Sequence, residues 1–298
     1  MRGISLKKSS AFDKFAGKNL PALEKNLLRL LPSGGALTKD LDRALVYCIK
    51  TGGKRIRPLL FMAVVSSMRK NIPPGIKKKM RDFACGIEFI HAYSLVHDDI
   101  MDGDDIRRGK ATVCKKFGSS VAILAGDALL TRGLEILYSS FPEAAAIINA
   151  GTGSPGMIAG QAADMEQEGK KARSEKALWY IHLNKTAAFF ASVAAAGAAA
   201  AGVSGKDLTD LASFGSNLGM AFQVRDDILD RTGDRKKYRK SRNDAKNGKL
   251  TVLRFYTLPA AQKIAGGITD CAESFLNKIS CDTSVLSSLL DKLREREF

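Results

Sequence analysis

The stretches VHDDIMDGDDIRRG (Val96 to Gly109) and VRDDILD (Val224 to Asp230) decide how this chain folds. Each ends a run with helical periodicity and carries aspartates in a DDxxD spacing. Like charges one helical turn apart destabilise a helix by roughly 0.2–0.5 kcal/mol per pair. Such clusters therefore persist only where water or bound cations neutralise the charge. Solvation would make them ordinary surface, whereas bound cations would indicate a functional site.

The spacing of the aspartates indicates whether water or a bound cation neutralises them. At 100° per residue, Asp98, Asp99 and Asp102 lie at about 0°, 100° and 40° around a helix, which is one face. Asp226, Asp227 and Asp230 repeat that spacing. Carboxylates without neighbouring His or Cys suit Mg²⁺ ions that also bind substrate phosphates. A single DDxxD is more often a solvated helix face, but two copies, each behind an apolar run, predict magnesium bound to a diphosphate.

Helical periodicity dominates the remaining sequence. LPALEKNLLRLL (Leu20 to Leu31) spaces leucines by three and four residues, and PLLFMAVVSSM begins with Pro58 at a plausible first helical position. The run from Ala187 to Val203 is rich in Ala and Gly, which predicts a buried, closely packed helix. No stretch shows sustained period-two alternation. The sequence predicts an all-α, single-domain helical bundle over residues 1–298, with residues 1–18 frayed.

Composition limits the classes of partner. The net charge of +16 over 298 residues suits phosphorylated ligands, nucleic acid or an anionic membrane surface. Lys77–Lys79 and the basic cluster at 235–242 are interpreted as solvated surface. The chain shows no recognised nucleic-acid-binding module or aromatic-interleaved basic patch, so we expect no nucleic-acid partner.

Cysteine usage and hydropathy indicate the compartment. The five cysteines are odd in number and form no close pairs, which argues against a disulfide framework or zinc module. The first thirty residues lack the apolar core of a secretory signal. Ala187 to Val203 falls short of the ~20 strongly apolar residues of a membrane span. We expect a cytoplasmic protein with no transmembrane segment.

Basic residues cluster near the acidic motifs. GGKRIRP supplies Lys54, Arg55 and Arg57 next to a helix N-terminus, where free N–H groups and the helix dipole favour phosphate. Arg107 and Arg108 directly follow the first motif, and His91 lies two turns before Asp98. Whether His91 is a core residue or a ligand stays open at this point. The pattern indicates two anion sites, one with metal and one purely basic.

An ordered set of motifs extends this interpretation. Along the chain stand GGKRIRP, IHAYSLVHDDIMDGDDIRRG, AGDALL, GQAADM, KTAAFF, FQVRDDILD and DAKNGKLT. In this order they resemble the trans-isoprenyl diphosphate synthases of the polyprenyl synthetase family, of farnesyl or geranylgeranyl diphosphate synthase type. The resemblance implies a helical fold around a deep central cavity, a homodimer, and several Mg²⁺ ions that bridge a diphosphate. The implied substrates are isopentenyl diphosphate and an allylic diphosphate, joined head to tail.

The resemblance also assigns roles by motif. The principal magnesium ligands would be Asp98, Asp102 and Asp226, with support, direct or through water, from Asp99, Asp227 and Asp230. The allylic diphosphate would be held by Arg107, Lys185, Gln223, Lys249 and Lys240. Isopentenyl diphosphate would be held by Lys54, Arg57, His91 and Arg108. Thr186 and Lys185 would face the developing allylic cation, and the edge of the site would be formed by Gln161 and Asp164.

One loop departs from the family pattern. Similar enzymes often read GKxxGxD after the second acidic motif, whereas this chain reads RKSRND from Arg239 to Asp244. Both glycines are replaced and the loop is one residue shorter. The role of Lys240 and the conformation of the loop are therefore open.

Product length depends on the floor of the expected cavity. Tyr93 lies five residues before Asp98, about 7.5 Å along a helix axis. A ring there could block a growing chain, while Ser94 leaves space, and the resemblance implies a C15 or C20 product. Tyrosine as ordinary core packing is the alternative.

Two other functions were compared with this one. A class I terpene cyclase shares the first acidic motif, but its second metal motif is normally of the Asn/Ser/Glu type, which DDILD disfavours. A non-catalytic partner subunit that binds prenyl diphosphates usually lacks one or both acidic motifs, and this chain has both.

Overall fold

The computed structural model describes residues 10–170, 174–232 and 249–295. Its α-helices are α1 (Ala11–Leu30), α2 (Lys39–Lys50), α3 (Ile56–Met68), α4 (Pro74–Met101), α5 (Val113–Phe117), α6 (Ser119–Ser140), α7 (Pro142–Thr152), α8 (Met157–Gln167), α9 (Glu175–Ile181), α10 (Ala188–Ala200), α11 (Gly205–Thr232), α12 (Leu258–Leu276) and α13 (Ser284–Glu295). A π-helical segment (His182–Ala187) joins α9 to α10, and Val252–Arg254 forms a 3₁₀ turn. The all-α prediction is confirmed.

Two long helices, α4 and α11, carry the acidic motifs at their C-terminal ends. The bundle packs α4 against α6, α10 against α11 and α7, and α11 against α12. A Cβ on Gly86 of α4 would lie 2.9 Å from Leu137 Cδ2 and 3.0 Å from the Gly133 carbonyl of α6. Glycine at these two positions therefore permits the close approach that fixes the position of α4.

The alanine-rich stretch forms α10, a helix whose residues are nearly all buried, as predicted. Its neighbour α11 approaches closely through two glycines. A Cβ on Gly215 would lie 2.5 Å from the Phe190 carbonyl, and one on Gly219 would lie 2.7 Å from Ala187 Cα. Small residues thus bring the middle of α11 against the π-helical segment, where two functional motifs meet.

The N-terminal helix begins earlier than the sequence predicts. Residues 11–18, expected to be frayed, form the first turns of α1. Ser10 and Asp13 form a reciprocal capping box at its start, and the ring of Phe12 is buried. Similarly, α3 begins at Ile56, two residues before Pro58, because proline is tolerated within a first helical turn.

The sequence shows no sustained strand, and the described ranges contain one short hairpin, β1 (Ile106–Arg107) and β2 (Lys110–Ala111). The strands are antiparallel, with Arg107 opposite Lys110. Arg108 and Gly109 between them both have positive φ, 53° and 74°. This conformation at both turn positions is typical of a two-residue type I′ turn. The hairpin turns the chain sharply after α4 and directs Arg107 back towards it.

Within the described ranges, no helix combines the length and the apolar character needed to cross a bilayer.

Candidate active site

The first acidic motif is divided between two environments. Asp98 lies in the last turn of α4, and Asp102 is the C-cap of that helix. Asp98 Oδ1 lies 3.4 Å from Lys185 Nζ, and Asp102 accepts a hydrogen bond from Lys249 Nζ. Burial acts to raise the pKa of Asp98, but the charges of Lys185, Arg107 and Lys249 outweigh it and lower that pKa. The pKa of Asp102 is instead raised by burial and by the charge of Asp98, against the opposing effect of Lys249.

Asp99 shares Arg107 with Asp98 but has none of the lysine contacts of Asp98 and Asp102 among the ion pairs of the described residues. Its side chain is turned by about 100° from that of Asp98, is only 4% exposed, and binds Arg107 Nε. Burial raises the pKa of Asp99 to about 6, against the opposing charge of Arg107. Arg107 Nη2 also lies 3.2 Å from Asp98 Oδ2. Asp99 therefore positions Arg107 beside Asp98.

The second acidic motif is divided in the same way. Asp226 is partly buried and Asp230 is exposed at the end of α11, whereas Asp227 is only 6% exposed. Asp227 Oδ2 accepts the backbone N–H of Val252 at 2.8 Å, and its Oδ1 accepts Gln223 Nε2 at 3.1 Å. Burial lowers the pKa of Arg57, which lies in the segment at residues 52–58 (the basic loop), and the charge of Asp226 opposes this shift. Asp226 is therefore close enough to the basic loop to act on Arg57, while Asp227 is hydrogen-bonded to protein groups.

The π-helical segment presents the KTAAFF motif to both aspartate helices. Lys185 Nζ lies 2.7 Å from Asp164 Oδ2 of α8 as well as near Asp98. Burial acts to lower the pKa of Lys185, but Asp98 and Asp164 outweigh it and raise that pKa. A Cβ on Gly160 of α8 would lie 2.1 Å from the Lys185 backbone nitrogen. Single-turn π segments are frequent at functional sites, and this one fixes Lys185 between two carboxylates.

Thr186 and Gln223 form a polar pair next to Lys185. The Thr186 hydroxyl donates to Gln223 Oε1 at 2.9 Å, across the contact between the π-helical segment and α11. Thr186 itself is buried. The two residues that the resemblance assigns to the allylic cation and its diphosphate are therefore in contact. Gln161, assigned to the edge of the site, lies on α8 and places its Nε2 3.9 Å from Met101 Sδ.

The basic loop forms the other part of the site. The Arg57 guanidinium lies 4.4 Å from the ring centroid of Phe190 and 5.2 Å from that of Phe189, and its Nη1 lies 3.4 Å from His91 Nε2. Burial lowers the pKa of Arg57 to about 10, which leaves it charged at neutral pH. Burial and the neighbouring arginines lower the pKa of His91, so His91 is neutral.

The remaining cations of the predicted isopentenyl diphosphate site lie at its surface. Lys54 is exposed, and Arg108 is exposed with its guanidinium donating to the Gly52 carbonyl. Arg108 therefore connects the hairpin after α4 to the glycine loop before α3. Lys240 and the departing loop Arg239–Asp244 lie outside the described residues.

Two further residues concern product length. Tyr93 is buried in α4, with its ring edge-to-face to the His97 ring at 5.6 Å. Ser94 is partly buried and its hydroxyl donates to the His91 carbonyl. The position of Tyr93 on the interior of α4 is compatible with both the floor role and core packing, so the floor role stays a prediction.

The carboxylates fit the chemistry of magnesium. Asp98, Asp102 and Asp226 offer hard oxygen donors, and Asp98 Oδ1 is buried without a hydrogen bond from the described residues. In the part of the chain that the structure describes, no three metal-binding side chains converge on one point. Lysine and arginine contacts engage the carboxylates of the first motif instead. The donor set suits Mg²⁺, and the neighbouring cations are groups that can bind diphosphate oxygens.

Sequence reasoning missed several residues of this site. It grouped Arg55 with the cations that favour phosphate, whereas Arg55 is buried between Glu24 and Glu88. It also missed His182, whose Nε2 lies 3.2 Å from Asp227 Oδ2. Glu88 could have been noticed as an acidic residue within an apolar helical run, one turn before His91. His182 carries no comparable signal.

Comparison with known proteins agrees with this geometry. The Polyprenyl synthetase family matches residues 38–276. The farnesyl diphosphate synthase of Geobacillus stearothermophilus is 36% identical over 297 residues, 96% of this chain and 98% of that protein. The farnesyl diphosphate synthase of Escherichia coli (strain K12) is 38% identical over 267 residues, 84% of this chain and 87% of that protein.

A solved structure of another protein shares the fold of this chain. The Helicobacter pylori geranyltransferase, described as complexed with magnesium and isoprenyl diphosphate, has a TM-score of 0.83 and 28% identity to this chain. The comparison covers 97% of this chain and 98% of that one. Motifs, fold and relatives therefore agree that the chain belongs to the polyprenyl synthetase family, as a trans-isoprenyl diphosphate synthase.

Proposed function

We propose that this protein condenses isopentenyl diphosphate with a C5 or C10 allylic diphosphate and releases a C15 product. The observation that carries the proposal is the contact of Asp98 and Asp102 with Lys185 and Lys249, directly beside the Thr186–Gln223 pair. A cluster that alternates carboxylates and ammonium groups suits a metal-bound diphosphate whose carbon end enters a less polar region.

The acidic motifs would hold the metal. Asp98, Asp102 and Asp226 are the proposed Mg²⁺ ligands, and bound Mg²⁺ would neutralise the diphosphate as the allylic C–O bond breaks. Lys185, Lys249 and Arg107 contact the first-motif carboxylates and would also bind the diphosphate oxygens. These cations stabilise the departing charge more than the ground state, which is where electrostatics accelerate a reaction.

The polar pair would face the carbon that becomes electron-poor. The Thr186 hydroxyl oxygen and the Gln223 amide oxygen are dipoles of the correct sign for a cation, without being strong nucleophiles. Phe189 and Phe190 follow Thr186 in the chain and are buried, which keeps this side of the site apolar. A cation sheltered in this way meets the double bond of isopentenyl diphosphate before it meets water.

The basic loop would hold isopentenyl diphosphate. Arg57 is oriented by the two phenylalanine rings and by His91, and its guanidinium can bind phosphate through paired donors. Lys54 and Arg108 add charge at the exposed end. After carbon–carbon bond formation, the departing diphosphate would accept the released proton, so the mechanism requires no dedicated side-chain base.

A C15 product is proposed over C20 for two reasons. Tyr93 is buried about one and a half turns before Asp98 in α4, where its ring would limit the space for a chain. Relatives of similar length that match nearly the whole chain are named farnesyl diphosphate synthases. The homodimer and the cytoplasmic location stay predictions.

The test is incubation of the purified protein with labelled isopentenyl diphosphate, Mg²⁺ and each of the C5, C10 and C15 allylic primers, followed by sizing of the products. We expect C15 diphosphate from the first two primers and little extension of the third. Asp98→Ala should lose most of its turnover at saturating Mg²⁺. A folded protein that extends none of the primers would contradict the proposal, and cyclised hydrocarbons without uptake of label would indicate a cyclase.

A further inference from the structure

A buried hydrogen-bond chain connects the π-helical segment to the second acidic motif. The Thr186 hydroxyl donates to Gln223 Oε1, and Gln223 Nε2 donates to Asp227 Oδ1. On the far side, His182 Nε2 lies 3.2 Å from Asp227 Oδ2. His182 is 2% exposed, so the chain from the imidazole to the hydroxyl lies almost wholly inside the protein.

Only one orientation of the Gln223 amide suits both of its neighbours in this hydrogen-bond chain, Thr186 and Asp227. An ionised carboxylate only accepts hydrogen bonds, so Asp227 requires the N–H₂ end of the Gln223 amide on its side. The carbonyl end of the amide must then point to Thr186. If Gln223 were turned over, two acceptors would meet at Asp227, and a buried mismatch of this kind is costly. Asp227 thereby determines which end of the Gln223 amide reaches the reacting group.

His182 fixes Asp227 in turn. Its Nε2 lies 3.2 Å from Asp227 Oδ2, and hydrogen on Nε2 is the tautomer that suits an acceptor-only carboxylate. Its Nδ1 is buried without a partner from the described residues. The Trp179 ring packs edge-to-face on the imidazole at 5.8 Å, which limits rotation of the ring. The buried His182 ring leaves its Nδ1 without a partner among the described residues, which indicates that the contact of its Nε2 with Asp227 has a specific role.

Asp227 also holds the chain segment that carries Lys249. The backbone N–H of Val252 donates to Asp227 Oδ2 at 2.8 Å, only three residues after Lys249. One carboxylate thus connects the Thr186–Gln223 pair to the lysine that contacts Asp102. Gln223 and Val252 each donate to one of the two Asp227 oxygens, and the His182 ring lies 3.2 Å from one of them, so Asp227 is in contact with three protein groups.

We propose that His182 and Asp227 are positioning residues that orient the Gln223 amide, so that its carbonyl oxygen and the Thr186 hydroxyl face the allylic carbon. This inference rests on the proposed function, and it assigns Asp227 a different role from the magnesium support that the motif implies. Neither residue touches the substrate. Both act through Gln223.

The experiment is a double-mutant cycle with His182→Phe and Gln223→Ala, measured as kcat per folded molecule with wild-type activity established first. Phenylalanine keeps a ring in the buried site and removes the donor. We expect His182→Phe to lower kcat about tenfold, the effect of one hydrogen bond to a charged group, with the KM of both substrates little changed. In the Gln223→Ala background, the same change should have almost no effect, because Gln223 is the route by which His182 acts.

Two further variants separate positioning from other roles. His182→Gln keeps an N–H donor close to the place of Nε2 and should restore most of the lost kcat, and it replaces the phenylalanine variant if that one does not fold. Asp227→Asn should lower kcat without raising the Mg²⁺ concentration for half-maximal activity, whereas Asp98→Asn, at a proposed metal ligand, should raise it.

The outcomes are distinguishable. An inactive wild-type protein would contradict the proposed function itself. An active wild type in which the His182 and Gln223 effects simply multiply would overturn the positioning role alone. So would an Asp227→Asn variant that needs more Mg²⁺, or a His182→Phe variant that loses stability but keeps its kcat.

Discussion

The buried ion pair of Arg55 and Glu88 offers the sharpest test of how the basic loop is built. Arg55 is the N-cap of α3 with φ of 51°, a left-handed conformation that is uncommon outside glycine. Its Nη1 lies 2.6 Å from Glu88 Oε1, and its Nη2 donates to the Ile49 carbonyl at 2.8 Å. These contacts hold the backbone between Lys54 and Arg57.

The structure sets the size of the effect. Both side chains are almost fully buried, with 3% and 4% of their surfaces exposed. Removing one partner of a buried pair costs about 3–5 kcal/mol, because the other charge stays buried without compensation. Arg55 keeps a second carboxylate, Glu24, which is partly exposed. We therefore expect Glu88→Gln to lower the free energy of unfolding by about 3 kcal/mol, near the low end of that range.

Two assays report this change. Denaturant unfolding should show the lost free energy as a lower midpoint with an unchanged slope. Hydrogen exchange should be faster at the amides of residues 52–56, because the pair holds this loop against α4. Asp40→Asn is the matched control, since Asp40 and Arg43 form an ion pair with 71% of each side chain exposed. Such pairs contribute about 0–1 kcal/mol. A Glu88→Gln variant no less stable than this control would refute the reasoning.

Three shorter predictions follow from other parts of the molecule. Tyr93→Ala should lengthen the main product, measured by chromatography, because it removes a buried ring from α4; an unchanged product profile would leave Tyr93 as core packing. Mg²⁺ with inorganic pyrophosphate, at about 100 times its Kd, should stabilise the protein by about 2.7 kcal/mol, seen as a higher Tm, whereas Asp98→Ala should abolish this shift. Desolvation raises the pKa of the partly buried Cys48 to about 12, so iodoacetamide at pH 8 should label the exposed Cys271 and spare Cys48. Equal labelling of the two cysteines in a mass spectrum would contradict the raised pKa of Cys48.

Much of the fold could be predicted because its signals are local. The spacing of three to four residues in the apolar runs predicts helices, and the alanine-rich stretch predicts the buried helix α10. Boundaries were less predictable. Of the N-terminal residues expected to be frayed, residues 11–18 are helical, because Ser10 and Asp13 cap α1 and Phe12 packs in the core. The hairpin after α4 has strands of two residues, which is too short to show alternation.

The sequence predicted which residues form the candidate site but not how their side chains are oriented. Two DDxxD motifs and the nearby lysines and arginines indicate a metal-bound diphosphate, because few other ligands suit that combination. Their spacing alone suggests that all three aspartates of a motif act together. The packed helices instead turn Asp99 and Asp227 into the protein, since adjacent helical residues point about 100° apart.

By itself, the sequence determined the helical class of the protein and the chemistry of its ligand, because periodicity and residue type are properties of short stretches of chain. Only the tertiary structure decided which aspartate faces the site and which one orients its neighbours. Asp227 is bound by Val252, 25 residues away, and by His182, on a different helical segment. Contacts between residues so distant along the chain form when helices pack, and no local pattern records them.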